Sequence, residues 1–143
     1  MAQTVCSPNP TVVEAARSAL VGKALDGFSC IGATTTMIFS SNDGQEASLE
    51  LCCAVDLATP EMVAQLSDRD FLLSLFDNRS ATVSTVEIST GHELLLTLST
   101  GDRYVIGERD SGSDWPWTLR SSVEGSRMRL TRELGGPIYI SPE

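Results

Sequence analysis

The chain has one lysine and one histidine, Lys23 and His92, among 143 residues. With one histidine and no Cys-His spacing, neither a Ser-His-Asp triad nor a zinc site built on several histidines is available. His92 lies beside Gly91 and Glu93 in a turn-like stretch, where a solvated imidazole is expected rather than a base oriented in a cleft. None of the four cysteines, Cys6, Cys30, Cys52 and Cys53, forms a Cys-x-x-Cys pair. No apolar run approaches the roughly 18 residues of a membrane span. The opening Met1-Ala2-Gln3-Thr4 lacks the basic and apolar regions of a signal peptide. Gly32, Gly44, Gly91 and Gly101 fall at turns, without the strand-to-helix context of a phosphate cradle. Asp110 and Asp114 with Ser111 and Ser113 resemble a calcium loop, but no downstream bidentate Glu follows. Nineteen acidic residues make some close carboxylate pair inevitable, so such a pair carries no information about glycoside chemistry. Catalysis is disfavoured, and no cofactor or metal is expected.

What remains is an ordinary globular composition, 41% hydrophobic and 20% charged. It suits a single domain over residues 1–143, with residues 1–9 as a mobile leader. The net charge of −9 argues against nucleic acid and favours a solvated surface or a basic protein partner. Nine arginines to one lysine fits a GC-rich coding sequence better than a chemical requirement. Unpaired, mostly buried thiols in the cytoplasm are the simplest account of the cysteines. Cys52 and Cys53, as neighbours in a strand, are expected to point to opposite faces.

The best-ordered pattern runs from Thr82 to Arg109. Val83, Thr85 and Glu87 alternate with Val86 and Ile88; Leu94, Leu96 and Leu98 alternate with Leu95, Thr97 and Ser99; Tyr104 and Ile106 alternate with Arg103 and Val105. Period-two runs separated by Thr90-Gly91 and Thr100-Gly101-Asp102 predict an antiparallel meander. Residues 25–53 have the same order. Leu25 to Ile31 forms a strand ending at Gly32, Thr34 to Ser40 a second, and Asn42-Asp43-Gly44 turns into a third at Ala47 to Cys53. The likeness is open to two readings, an internal duplication or two unrelated meanders.

Helices are expected in two places. Asn9 caps and Pro10 opens a helix over residues 10–20, with Val12, Val13, Ala16, Ala19 and Leu20 on one face. A helical connector follows near residues 60–76. Thr59-Pro60-Glu61 reads as its start, and Phe71, Leu72, Leu75 and Phe76 as a stripe after Ser67 or Asp68. Beyond Arg109, Trp117 to Leu119, Arg127 to Arg132 and Ile138 to Ile140 read as further strands. The fold class is α+β: one mainly antiparallel sheet of about six to eight strands, in two meander-like units, with an N-terminal helix and a central helical connector. The expected core is Phe28, Ile38, Leu49, Leu51, Leu72, Leu75, Leu96, Leu98, Tyr104 and Ile106.

Charge is unevenly placed. No basic residue lies between Lys23 and Arg69, an interval holding Asp26, Asp43, Glu46, Glu50, Asp56, Glu61 and Asp68. Two partner-binding surfaces are candidates. One is acidic, around Asp43, Glu46, Glu50 and Asp56; the other is the loop from Asp110 through Asp114 to Trp115 and Trp117. Trp115, beside Asp114 and Pro116, is the better candidate for exposure, and Trp117 enters a strand-like run. With its LVGKAL opening, its GDRYVIGERD turn-and-strand and its late tryptophan, the chain resembles small bacterial immunity proteins of toxin–antitoxin and contact-dependent competition systems. The resemblance implies binding and inhibition, an acidic surface masking the basic active site of a toxin. Two other classes compete: a small-ligand-binding β-domain with a pocket between sheet and helices, and a carboxylate-dependent enzyme.

Overall fold

A computed structural model describes residues 9–123 and 126–142. The expected leader, apart from Asn9, and Cys6 lie outside the described residues. Helix α1 spans Pro10–Leu20, with the Asn9 side chain accepting the Thr11 N–H at 2.9 Å and Pro10 at the first position. Proline costs nothing there, because that N–H has no intrahelical partner. The helix stops at Val21, and the chain reverses through Gly22 at φ 86°.

Eleven strands are present among the described residues: β1 Ala24–Ile31, β2 Thr34–Ser40, β3 Glu46–Leu51, β4 Val55–Ala58, β5 Val63–Gln65, β6 Val83–Ile88, β7 Leu94–Leu98, β8 Arg103–Ile106, β9 Trp117–Val123, β10 Ser126–Arg132 and β11 Ile138–Pro142. Helix α2, Asp68–Asp77, sits between β5 and β6. All pairings within the sheets are antiparallel. The strands form not one sheet but two, in the orders β1-β2-β3-β9-β10-β11 and β5-β4-β8-β7-β6. Two crossings at a shared corner cause the split. Residues 52–54 lead β3 into β4, and residues 107–116 lead β8 into β9. Cys52 N–H donates to Pro116 O at 2.8 Å, Ala54 N–H to Arg109 O at 2.8 Å and Gly112 N–H to Cys52 O at 2.9 Å, so the crossings are bonded to each other. Strand pairs that change sheets together make such corners.

Residues opposite one another in an antiparallel ladder share a face. In the six-stranded sheet Met37, Leu49, Leu119 and Leu130 form one inward row, and Phe39 and Ala47 belong to the next. In the five-stranded sheet Val55, Ile106, Leu94 and Ile88 face inward, as do Tyr104, Leu96 and Val86. These rows and Val12, Ala16, Ala19 and Leu20 of α1 make a single apolar core. The alanines present little bulk, which lets α1 lie close to β6 and β9.

Two expectations are corrected. Ile38 is not in the core: the turn pairs Ser40 with Glu46, so Phe39 lies opposite inward Ala47 and Ile38 opposite outward Ser48. Phe28 and Leu72 are half-buried at the rim. Residues 60–66 are not helical. Thr59 N–H donates to Met62 O at 2.8 Å, and the Thr59 hydroxyl accepts the N–H groups of Glu61 and Met62. This local bonding with Pro60 makes a turn joining β4 to β5, the alternative to a helix that threonine offers the backbone. The helical part of the connector starts at Ser67, whose hydroxyl accepts Asp70 N–H at 3.1 Å.

A buried polar network fastens α2 to the five-stranded sheet. Tyr104 Oη lies 2.8 Å from Ser74 Oγ and accepts from Asn78 Nδ2 at 3.1 Å, while Thr100 donates to Asn78 Oδ1 at 2.7 Å. Burial pushes the Tyr104 hydroxyl pKa up, against the opposing effect of its Ser74 and Asn78 hydrogen bonds.

Candidate functional site

The two crossings at the corner position the loop from Arg109 to Pro116. Leu134 N–H donates to Asp114 O at 2.8 Å, a further tie from the β10–β11 turn. Inside the loop, Ser111 Oγ donates to Ser113 O at 2.6 Å and Trp115 N–H donates to Ser113 Oγ at 3.1 Å. Asp110 adopts φ 54°, a left-handed conformation that aspartate tolerates better than most residues. A loop held by this many backbone bonds pays little ordering entropy on contact.

Trp115 is 48% exposed on this loop, with Asp110 and Asp114 also exposed and Leu134 beside it. Trp117, two residues on, is 0% exposed: it faces the core opposite Leu51 and Arg132. As a contact residue Trp117 is therefore corrected to a core residue. The physical reason is where β9 begins: Trp117 is its first residue and is set between β3 and β10, whereas Trp115 precedes the strand in the loop and is not bound to that face.

The acidic candidates do not form one surface. Asp43, Glu46 and Glu50 belong to the β2–β3 hairpin of the six-stranded sheet, and Asp56 to β4 of the five-stranded sheet. Glu50 is paired with Arg120 at 3.2 Å and Asp56 with Arg109 at 2.5 Å, so both charges are offset by adjacent guanidinium groups. Asp43 and Glu46 remain exposed. The Ser41 hydroxyl, followed by the Gln45 N–H, holds the Asp43 carboxyl below its usual range. Arg120, Arg127 and Arg129 lie on the neighbouring strands β9 and β10, so the outward side of the six-stranded sheet mixes both signs.

Behind the aromatic loop the corner encloses a cleft of about 800 Å³, bordered by Thr34, Cys52, Cys53, Ser67, Asp68 and Arg109 among others. Cys52 and Cys53 both border it, against the expectation of opposite faces, because β3 ends at Leu51 and the crossing is no longer extended. Cys30, Cys52 and Cys53 are unpaired. Burial is the main cause that pushes the Cys53 thiol up to about 12, and Arg109 and Arg132 only partly oppose it. A protonated, desolvated thiol is a poor nucleophile. Among the described residues no group of three or more His, Cys, Asp and Glu side chains could hold a metal ion.

His92 occupies the β6–β7 turn at φ 60°. The turns at 41–45, 89–93 and 98–102 share one hydrogen-bond pattern, and Gly44, His92 and Gly101 fill the same left-handed position. His92, not its neighbour Gly91, makes that reversal. Its carbonyl accepts a hydrogen bond at 2.5 Å from Arg132 Nη1. Arg132 also donates to Glu108 Oε2 at 3.1 Å and to Glu133 O at 3.0 Å. This buried arginine, the most connected cation near the corner, was not singled out from the sequence. Its parity with Leu130 in RMRLTR was the available signal. The chain matches no family model, no curated protein and no solved structure.

Proposed function

We propose that this chain is a non-catalytic binding protein of the toxin-neutralising kind, which seats a basic protein partner against the loop from Asp110 to Trp115. The observation that carries the reading is Trp115, a large aromatic side chain left 48% exposed on a loop bonded into both crossings. Rigid exposed tryptophans are the usual anchors of protein interfaces. Asp110 and Asp114 beside it, on a chain of net charge −9, supply the acidic character that selects a basic partner and speeds its approach. Each surface has one carboxylate offset by an arginine, Glu50 by Arg120 at 3.2 Å and Asp110 by Arg109 at 3.3 Å, and the β2–β3 hairpin is the weaker because its turn carries no exposed aromatic anchor. A reducing cytosol suits the unpaired cysteines.

The test is affinity capture from the source cell with the wild-type protein and Trp115→Ala as parallel baits. The retained protein is then purified and its binding measured at low and high salt. The expected result is a basic protein held at 1:1, with affinity about tenfold or more weaker for Trp115→Ala, and association that slows as salt rises. Unchanged affinity in both Trp115→Ala and Asp114→Lys would remove the loop as the site.

The cleft favours a second reading, a small-ligand domain, because about 800 Å³ falls in the range of ligand pockets. Native mass spectrometry of protein purified from its source cell decides it. A retained small molecule displaced in Asp68→Lys would favour the pocket over the loop.

A further inference from the structure

The two sheets have four edges, and three are protected. Strand β5 is only three residues long. Strand β6 is covered by α1, and Arg17 Nε donates to Val86 O at 3.1 Å. Strand β11 lies between Pro137 and its own last residue Pro142, and proline blunts a strand edge.

Strand β1 differs along its length. At its start the ladder continues sideways onto the lead into β6: Gly22 N–H donates to Val83 O, Val83 N–H to Lys23 O, Leu25 N–H to Ala81 O and Ser80 N–H to Leu25 O, all at 2.8–2.9 Å. That ladder ends at Leu25, because the chain bends at Ser80, φ 73°, toward α2. From Asp26 to Ile31 β1 pairs only with β2, and among the described residues no strand lies on its other side. Backbone donors and acceptors along that edge are complementary to one thing, another extended chain.

Helix α2 makes the wall of this vacated position. Phe28 of β1 meets Phe76 edge-to-face, with ring centroids 5.0 Å apart. Phe76 is nevertheless 61% exposed and Ile31 81% exposed, with Leu73 exposed one turn before Phe76. Phe76 thus stands on the Phe28 side of β1, where alternate residues of an added strand would project, and Ile31, three positions after Phe28, adds exposed apolar surface on the opposite face. Exposed Asp26, Asp68, Asp70 and Asp77 outnumber Arg69 and Arg79 around the position. A second copy of a chain of charge −9 is repelled there, and a basic segment is attracted.

We propose that the edge of β1 from Asp26 to Ile31, walled by Phe76 and Leu73, receives an extended basic–apolar segment of a partner protein as an added strand. This site is separate from the Trp115 loop and stands without it.

The test is selection of random displayed short peptides on the full-length protein, followed by synthesis of the best binder. The recovered peptides should alternate apolar residues with Lys or Arg. Phe76→Ala should weaken binding about tenfold with the fold intact by circular dichroism, and Trp115→Ala should leave it unchanged. N-methylation of the peptide should abolish binding at alternate residues only, and amide exchange should slow at residues 27–31. Peptides that bind Phe76→Ala equally well, methylation effects without alternation, failure to recover any binder, or protection of residues 27–31 by concentration-dependent dimerisation would each overturn the proposal.

Discussion

Replacing Arg132 with alanine tests whether the corner depends on one buried cation. Arg132 is 4% exposed and faces inward opposite Trp117 and Ile138. Its guanidinium joins β10 to two other places, the carbonyls of Gly91 and His92 in the β6–β7 turn and Glu108 after β8, and also donates to the adjoining Glu133 O. A hydrogen bond to a charged group contributes about 1.5–3 kcal/mol, but bonds sharing one side chain are not additive. Removing one partner of a buried ion pair costs about 3–5 kcal/mol because the other charge is stranded. Here Glu108 is 39% exposed and still accepts Gly135 N–H at 2.6 Å, so its charge keeps some solvation. The cost therefore belongs near the lower end, about 3 kcal/mol. Arg132→Met, which keeps the aliphatic contacts, should lose less than alanine. Urea unfolding measures both, read as a lower midpoint at constant slope. A loss below about 1 kcal/mol for Arg132→Ala would refute the reasoning, and would mean that water replaces the guanidinium at little cost.

Leu96→Ala should destabilise by about 2–5 kcal/mol, since Leu96 is fully buried. Ile38→Ala, on the outward side of β2, should cost much less; equal losses by thermal melting would contradict the register. In thiol labelling at neutral pH the exposed Cys30 should react first and Cys53 last. Because the folded state holds the Cys53 proton more tightly than the unfolded chain, folded protein binds more protons above the ordinary thiol pKa of roughly 8.5. Stability should accordingly fall as pH rises from there toward about 12, with a shallower fall in Cys53→Ala. A slope identical in the two proteins would contradict the burial of this thiol.

Most elements can be read locally. The Asn9-Pro10 cap set the start of α1, and alternation in Leu94 to Leu98 and Tyr104 to Ile106 marked β7 and β8 with their inward faces. Cap chemistry and side-chain alternation act over a few residues, so a linear sequence contains them in full. The same locality misled at Thr59-Pro60-Glu61, where a helix start and a hydroxyl-bonded turn use the same residue types.

The candidate site was legible only in pieces. The contrast between Trp115 and Trp117 followed from the strand-like run that Trp117 enters and the Asp114 and Pro116 that flank Trp115, and Arg132 was open to an argument from alternation through Leu130. Other features depended on residues far apart in sequence: the pairing of Asp56 with Arg109 and Glu50 with Arg120, the corner cleft, and the unfilled edge of β1. Composition counts carboxylates but not the guanidinium groups set beside them by register. Whether β3 continues as one strand or crosses into a second sheet depends on Cys52 and Ala54 finding Pro116, Gly112 and Arg109. Those bonds exist only once the chain has folded over some sixty residues, the distance at which a one-dimensional pattern holds no information about its partner.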